Sequence, residues 1–434
     1  MDSQLQELLV AAYNERFPQK SFVPGESVVP VSGKVFGYEE IVNMVEASLE
    51  GWWTEGHFTN TFERKLASFL GVKFASLTNS GSSANLLAFA ALTSVKLGDR
   101  QLKPGDEVIG VAAGFPTTIN PIVQYGLIPV FVDVDLGTYN ANIDLLKQAI
   151  TPKTKAIFLA HTLGNPYHLS EIAALCKEHN LWFIEDNCDA LGSLYNGKRT
   201  GTFGDIATCS FYPAHHITTG EGGAVFTNDS SLYRIINSFR DWGRDCWCEP
   251  GKDNTCNQRF CWQLGNLPYG YDHKYIYSEV GYNLKSTDIQ AALGLVQLTR
   301  LPEFIVKRRK NFNLLYEGLK KYEQYFVLPQ WLPEAEPSWF GFLLTVKKTS
   351  PFSRNDIIQF LNHKKIGTRN LFAGNITKQP YFVERNIPYR IHGTLENTDI
   401  IMDNTFWIGC FPGLTDEMID YMISSIGEFI KEYS

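Results

Sequence analysis

The 434-residue chain is long enough for two or three domains and a substantial buried core. Hydrophobic content of 44% and charge of 20% are ordinary for a globular protein, so fibrous and disordered classes are excluded. With 39 basic against 46 acidic residues the net charge is −7, and without an extended basic tract nucleic-acid binding is a poor expectation.

The N-terminus, MDSQLQELLVAAYNERF, reads as an amphipathic helix and lacks the basic and apolar regions of a signal peptide. No apolar run approaches the roughly 18–20 residues of a membrane span. A cytoplasmic protein is expected, with no membrane partner. From about Val72 to Phe226 short apolar runs alternate with helical patterns. Phe74–Leu77 precedes the turn Asn79-Ser80-Gly81-Ser82-Ser83 and the helical ANLLAFAAL; EVIGVAA, PVFVDVD, AIFLAHT and LWFIED come next as strands. Buried strands alternating with helices imply an α/β fold with a mostly parallel sheet covered on both faces. Residues 245–277 break this rhythm, being rich in Cys, Trp, Asn, Gly and Tyr, and read as an inserted loop. A long helical pattern from Asp288 to about Tyr322 leads towards a smaller C-terminal α/β domain, with GFLLTVKK as a strand and DEMIDYMISSIGEFIKEY as the last helix. The expected division is residues 1–300, a large domain carrying the N-terminal helix and the insertion, and residues 301–434, the small one.

Three strand-end features suggest one site. The Asn79–Ser83 turn opens a helix, where backbone amides and hydroxyls can cradle a phosphate, although a simple helix cap explains the turn equally well. Asp186 ends the apolar run IleGluAsp, where a carboxylate can pair with a protonated ring nitrogen or merely cap a turn. In the stretch Ser210 to Gly223, SFYPAHHITTGEGG, a hairpin turn accounts for the glycines but not for two adjacent histidines beside Ser and Thr.

TTGEGGAVFTN, with Ser210 ahead of it, resembles the DegT/DnrJ/EryC1/StrS family of sugar aminotransferases and dehydratases. FIEDNCDALGS, GYNLKSTDIQAALG and GFPTTINPI are similar to further segments of that family in the same order, from about Gly51 to the C-terminus. The resemblance implies an aspartate-aminotransferase-like (type I pyridoxal-phosphate) fold. It implies Gly81, Ser82 and Ser210 at the cofactor phosphate, Phe115 stacked on the ring and Asp186 at its nitrogen. Asn283 would reach the phosphate of a neighbouring subunit, which implies a homodimer. Arg369 is a candidate for a substrate anion.

One departure decides the chemistry. Five places before the first glycine of GEGG, where the family's aminotransferases carry lysine, stands His215. Imidazole has no primary amine and forms no tethering aldimine. Pyridoxamine 5′-phosphate (PMP) would then stay untethered, with His215 as general base, or His216 in its place. Asp189 and Tyr212 are further departures beside the cofactor; the phenol suits radical stabilisation or a plain hydrogen bond. Two kinds of 3-dehydrase in the family share the Lys-to-His exchange. One acts on GDP-4-keto-6-deoxymannose and is regenerated by glutamate. The other acts on CDP-4-keto-6-deoxyglucose, with a [2Fe–2S] cluster and an NADH-dependent flavin and iron–sulfur reductase.

Of eight cysteines, four fall within the 16 residues from Cys246 to Cys261. Cys188 precedes Cys246 by fifty-seven intervening residues; Cys248 comes next, and Cys256 after seven more. Four thiolates suit either a [2Fe–2S] cluster or structural zinc, and spacing alone does not choose. The resemblance is to the cluster-containing, CDP-linked kind, with Cys188, Cys246, Cys248 and Cys256 as ligands and Cys261 as a substitute for Cys256. Two residues of chain span at most about 7 Å, so Cys188 must lie near Asp186.

Overall fold

The structure, a computed structural model, describes residues 2–18, 20–248 and 251–433. Seven strands carry the main sheet: β1 (Phe74–Thr78), β2 (Glu107–Val111), β3 (Ile128–Val132), β4 (Thr154–Ala160), β5 (Trp182–Asp186), β6 (Ile206–Ser210) and β7 (Gly223–Thr227). With the short Arg390–Ile391 strand they form one eight-stranded sheet, ordered β1-β7-β6-β5-β4-β2-β3 and then Arg390–Ile391. Every pairing is parallel except those of β7, which runs antiparallel to both β1 and β6. The run IATCS is buried at every position, as a strand covered on both faces must be. A helix follows β1, capped by Ser80, whose hydroxyl accepts from the Ser83 amide, and it buries all but Ser82, Ser83 and Leu86.

A second, antiparallel sheet orders Phe326–Val327, Gly341–Val346, Thr405–Gly409 and Thr368–Asn370. The C-terminal helix Asp416–Lys431 packs its Ile419, Met422, Ile426 and Phe429 onto this layer. The helix Asp288–Leu319 starts at a capping box of Thr287 and Gln290 and runs unbroken through residues 300 and 301. The N-terminal helix Ser3–Arg16 forms, but without the apolar face expected of it, and none of its residues is buried. Among the described residues of 245–277, the 3₁₀ turn His273–Tyr275 is the only helix or strand. Among the described residues no helix is long and apolar enough to cross a membrane.

Parallel order gathers the strand ends on one side. The carboxyl ends of β5 and β6 and the amino end of the Gly81–Ala91 helix meet on one edge of the sheet. That edge is where open α/β sheets leave a crevice.

Candidate active site

A cavity of about 990 Å³ occupies that crevice. Asp186, at the end of β5, is 4% exposed. Its Oδ2 accepts from Asn85 Nδ2 and from Thr118 Oγ1, both at 2.8 Å, and its Oδ1 accepts from the Cys188 amide at 3.1 Å. Asn85 is in turn fixed by Thr208 Oγ1, donating at 2.6 Å. Three donors from three elements leave the carboxylate little freedom to turn.

At the amino end of the Gly81–Ala91 helix, a Cβ placed on Gly81 would collide with the Ser210 side chain. Only glycine lets the two segments approach this closely. The free amides of the first turn and the Ser210 hydroxyl thereby line one end of the cavity, together with Ser82. Phe115 lines the same cavity as the N-cap of the Pro116–Gln124 helix, 48% exposed and edge-on to Phe372. Tyr212 is half exposed in the same cavity, and its amide donates to Ser210 Oγ at 3.3 Å.

His215 lines the cavity and His216 does not. The His216 ring turns away, with Nε2 2.8 Å from the Ser338 carbonyl. The His215 side chain is 16% exposed and its Nδ1 lies 3.4 Å from Asp189 Oδ1. This contact is not an ion pair. Burial lowers the His215 pKa to about 4, against the opposing pull of the Asp186 charge. Burial, with the Asp186 charge behind it, raises Asp189 to about 8. Near pH 7 the imidazole is neutral and Asp189 carries a proton.

Arg308 lies beneath this pair, 1% exposed. It donates to the carbonyls of Trp339 at 3.0 Å, Phe340 at 3.4 Å and His215 at 3.1 Å. Burial brings its pKa down to about 10. The arginine thus ties the His215 backbone to the second sheet. Asn85, Thr118 and Arg308 escaped the sequence reading.

The expected residues are not all in one place. Gly81, Ser82, Phe115, Asp186 and Ser210 share the cavity with Cys188, Asp189, Tyr212 and His215. Arg369 also reaches it, from the Thr368–Asn370 strand. Asn283 does not; it is exposed, in a bridge to Asp241. Cys246, Cys248 and Cys256 lie in the insertion, close to one another. The Cys248 amide is 3.4 Å from Cys246 Sγ, and Cys256 Sγ is 3.9 Å from His273 Nδ1. Burial raises Cys246 to about 11. Cys248 resists the upward pull of burial through hydrogen bonds from Thr255, the Cys256 backbone and the neighbouring thiols, and falls to about 7. Cys261 is exposed. Among the described residues no cysteine belongs to a group of three or more ligands lying within 4.8 Å of one another. The one such group, Glu50, His57 and Asp288, has its Asp288 already engaged by the amides of Gly56 and Thr59.

A doubly covered, mostly parallel sheet with an anion cradle and a carboxylate at its strand ends is the architecture of the type I pyridoxal-phosphate fold. The DegT/DnrJ/EryC1/StrS aminotransferase family model matches residues 37–427, and the chain belongs to this family. The chain is 59% identical over 426 residues to the lipopolysaccharide biosynthesis protein RfbH of Salmonella typhimurium, covering 98% of this chain and 97% of that one. It is 55% identical over 425 residues to the dTDP-4-dehydro-2,6-dideoxy-D-glucose 3-dehydratase of Saccharopolyspora spinosa, covering 98% and 91%. Its fold matches that of the E. coli GDP-4-keto-6-deoxy-D-mannose-3-dehydratase with bound hydrated PLP, at a TM-score of 0.82, 32% identity, and 92% and 98% coverage.

Proposed function

We propose that this chain is a nucleotide-sugar 3-dehydratase that holds PMP without a covalent tether. The observation that carries the reading is the cavity wall. It presents His215 and, among the described residues, no lysine, so it offers no amine for an aldimine anchor. The residues present fit the cofactor. Glycine at 81 lets Ser210 pack directly against the amino end of the helix, so the amides of Gly81 and Ser82 and the Ser210 hydroxyl line the cavity together and would form a phosphate cradle. Asp186, held by Asn85 and Thr118, would pair with the ring nitrogen, and Phe115 would cover the ring face. Asn283 would serve the phosphate of the partner subunit in a homodimer.

PMP supplies there an amine for the substrate ketone and an electron sink for loss of the C3 hydroxyl. His215 is neutral near pH 7 and so has one ring lone pair with which to take up a proton from the bound reactants. Asp189, protonated and buried, keeps a second negative charge from building beside Asp186. Arg308 holds the His215 backbone in register with the cavity. Tyr212, half exposed in the wall, is placed to hydrogen-bond the bound substrate.

The finer reading concerns electrons and nucleotide. We take the substrate to be CDP-4-keto-6-deoxyglucose, leading to a 3,6-dideoxyhexose. Cys188, Cys246, Cys248 and Cys256 would hold a [2Fe–2S] cluster that relays single electrons from an NADH-dependent flavin reductase. Their support is the cysteine spacing and the closeness of the Cys246, Cys248 and Cys256 thiols within the insertion. The second reading is turnover of GDP-4-keto-6-deoxymannose with regeneration by glutamate; the dispersal of the cysteines favours it. Anaerobic purification with iron and sulfide assays and a visible spectrum separates the two. Two iron and two sulfide per chain, with PMP-dependent loss of the CDP-sugar, is the expected result. An iron-free protein that dehydrates the GDP-sugar with glutamate establishes the second reading.

A further inference from the structure

The thiols form two incomplete sets at opposite ends of one helix. Cys188 opens into the strand-end cavity, and the acidic and thiol groups around it are Asp186, Cys209 and Asp189. That is the amino end of the Gly81–Ala91 helix, where Asn85 reaches Asp186. Cys246, Cys248 and Cys256 are tied instead to the carboxyl end. Asp245, adjoining Cys246, accepts from Lys96 at 2.8 Å, and Ser94 donates to Glu279 at 2.5 Å. The chain from Glu279 to Leu284 then travels back along the helix, until the Leu284 carbonyl accepts from the Asn79 amide at 2.8 Å. From Asn85 to Ala91 alone the helix rises about 9 Å, and Ser94 and Lys96 lie beyond it. Within one chain the three thiols therefore stand clear of the fourth.

Two complementary half-sites on the same chain are satisfied together by symmetric pairing of two copies, each giving what the other lacks. The surface carrying the three thiols is also bare in the single chain. Trp242, Trp247, Phe260, Tyr269 and Tyr277 are exposed there, and Val280 is 91% exposed. So many large apolar side chains crowded on one segment mark a face that is covered in the working protein. A second copy seated there would cover it and bring the missing thiol at once.

We propose that each [2Fe–2S] cluster is built between two copies of this chain, on Cys246, Cys248 and Cys256 of one subunit and the partner subunit's Cys188. The inference rests on the iron–sulfur reading of the function and adds the source of the fourth ligand. It accounts for the dispersal of the cysteines in the single chain, which is otherwise the strongest observation against a cluster.

The test is complementation between two defective subunits, read as metal content. Chains carrying Cys188→Ser and Cys248→Ser are co-expressed with different tags, and the mixed dimer is isolated by tandem affinity purification without air. Iron, sulfide and the EPR signal after dithionite reduction are measured, with PMP binding as the check that each variant is folded. In a shared site the mixed dimer keeps one complete ligand set. The expected result is one cluster per mixed dimer, against two in the wild-type dimer and none in either variant homodimer. A mixed dimer without cluster means that all four ligands come from one chain, and overturns the proposal. So does a loaded Cys188→Ser homodimer, which would leave the ligand set within the insertion, or an iron-loaded wild-type monomer. Wild-type protein without iron sinks the iron–sulfur reading itself, a different result from any of these.

Discussion

The strand-end cavity and the cysteine-rich insertion are held together on different physical terms. In the cavity, Asp186 is fixed by donors from two helices and a backbone amide, and Arg308 links three carbonyls across both sheets. In the insertion the ties are ion pairs and rings: Arg259 grips Asp272 through two nitrogens, Lys274 pairs with Asp253, and Trp262 stacks on His273 at 8°. The first arrangement is complete before any ligand arrives. The second leaves thiols close together but unmatched, so a metal would contribute to ordering them. A pocket that must position a reacting atom is preorganised by the fold, while a segment that only has to hold a metal can leave the last step to the metal.

The sharpest way to break this contrast is at His215. If the cavity is a prebuilt proton-transfer site, His215→Asn lowers dehydration turnover by about 10²–10⁴-fold, the usual worth of a placed general base. PMP affinity should stay within a few-fold, because the cradle at Gly81 is untouched. Single-turnover assays at saturating PMP measure the first, and equilibrium titration with PMP measures the second. Unchanged turnover would move the base elsewhere.

Asp186→Asn probes the same preorganisation through binding. It removes a charge-assisted bond to the cofactor nitrogen while keeping the shape that Asn85 and Thr118 enclose. Loss of such a bond is worth about 1.5–3 kcal/mol, so PMP should bind roughly 10–150-fold more weakly by equilibrium titration.

The titrations of His215 and Asp189 give the next effect. Asp189 holds its proton in the folded state up to about pH 8 but loses it near its ordinary value when unfolded. Folded protein therefore binds more protons at this site, and stability falls as pH rises between those limits. His215, lowered to about 4, gives the opposite slope below its ordinary value of about 6.5. The two cancel in the acid range, and only the Asp189 slope survives from about pH 6.5 to 8. At about 1.4 kcal/mol per pH unit the cofactor-free protein should lose about 2 kcal/mol across that window. Denaturant unfolding at each pH measures it, and Asp189→Asn should flatten the curve. A flat wild-type curve would mean that Asp189 is ionised and paired with a charged His215.

Much of the cavity was legible in the sequence because each part sits at the end of a periodic run. Apolar runs at 107–111, 128–132 and 182–186 become β2, β3 and β5, and the residues just past a buried strand are obliged to sit at the sheet edge. Arg308 was hidden by its neighbours: in the run Lys307–Lys310 it reads as one more solvated cation. Its helical spacing from Leu301, Phe304, Ile305, Phe312 and Leu315, all buried, was the available signal. Asn85 and Thr118 carried none, since polar residues one turn into a helix are commonplace and their meaning comes from Asp186 across the sheet. The two-residue strand Arg390–Ile391 has too short a pattern to register. The distance between Cys188 and the other three thiols was not legible either, because fifty-seven intervening residues fix no spatial separation.

The smallest expected effect bears on the insertion alone. Cys256 and Cys261 are five residues apart, and spacing offered either as the fourth ligand. Their surroundings differ. Cys256 takes part in hydrogen bonding with Cys248 and lies 3.9 Å from the buried ring of His273, whereas Cys261 is exposed, its amide donating to the Gln258 carbonyl. A ligand needs a neighbouring thiol with which to share the metal, and within the insertion only Cys256 joins that group. Cys261→Ser should therefore leave iron, sulfide and turnover within about twofold of wild type, the scatter expected of an exposed substitution, while Cys256→Ser empties the cluster site. Iron lost from the Cys261 variant and kept in the Cys256 variant would exchange their roles. The His273 contact would then be a packing feature, and the insertion would have to refold around its metal far more than its short-range ties now suggest.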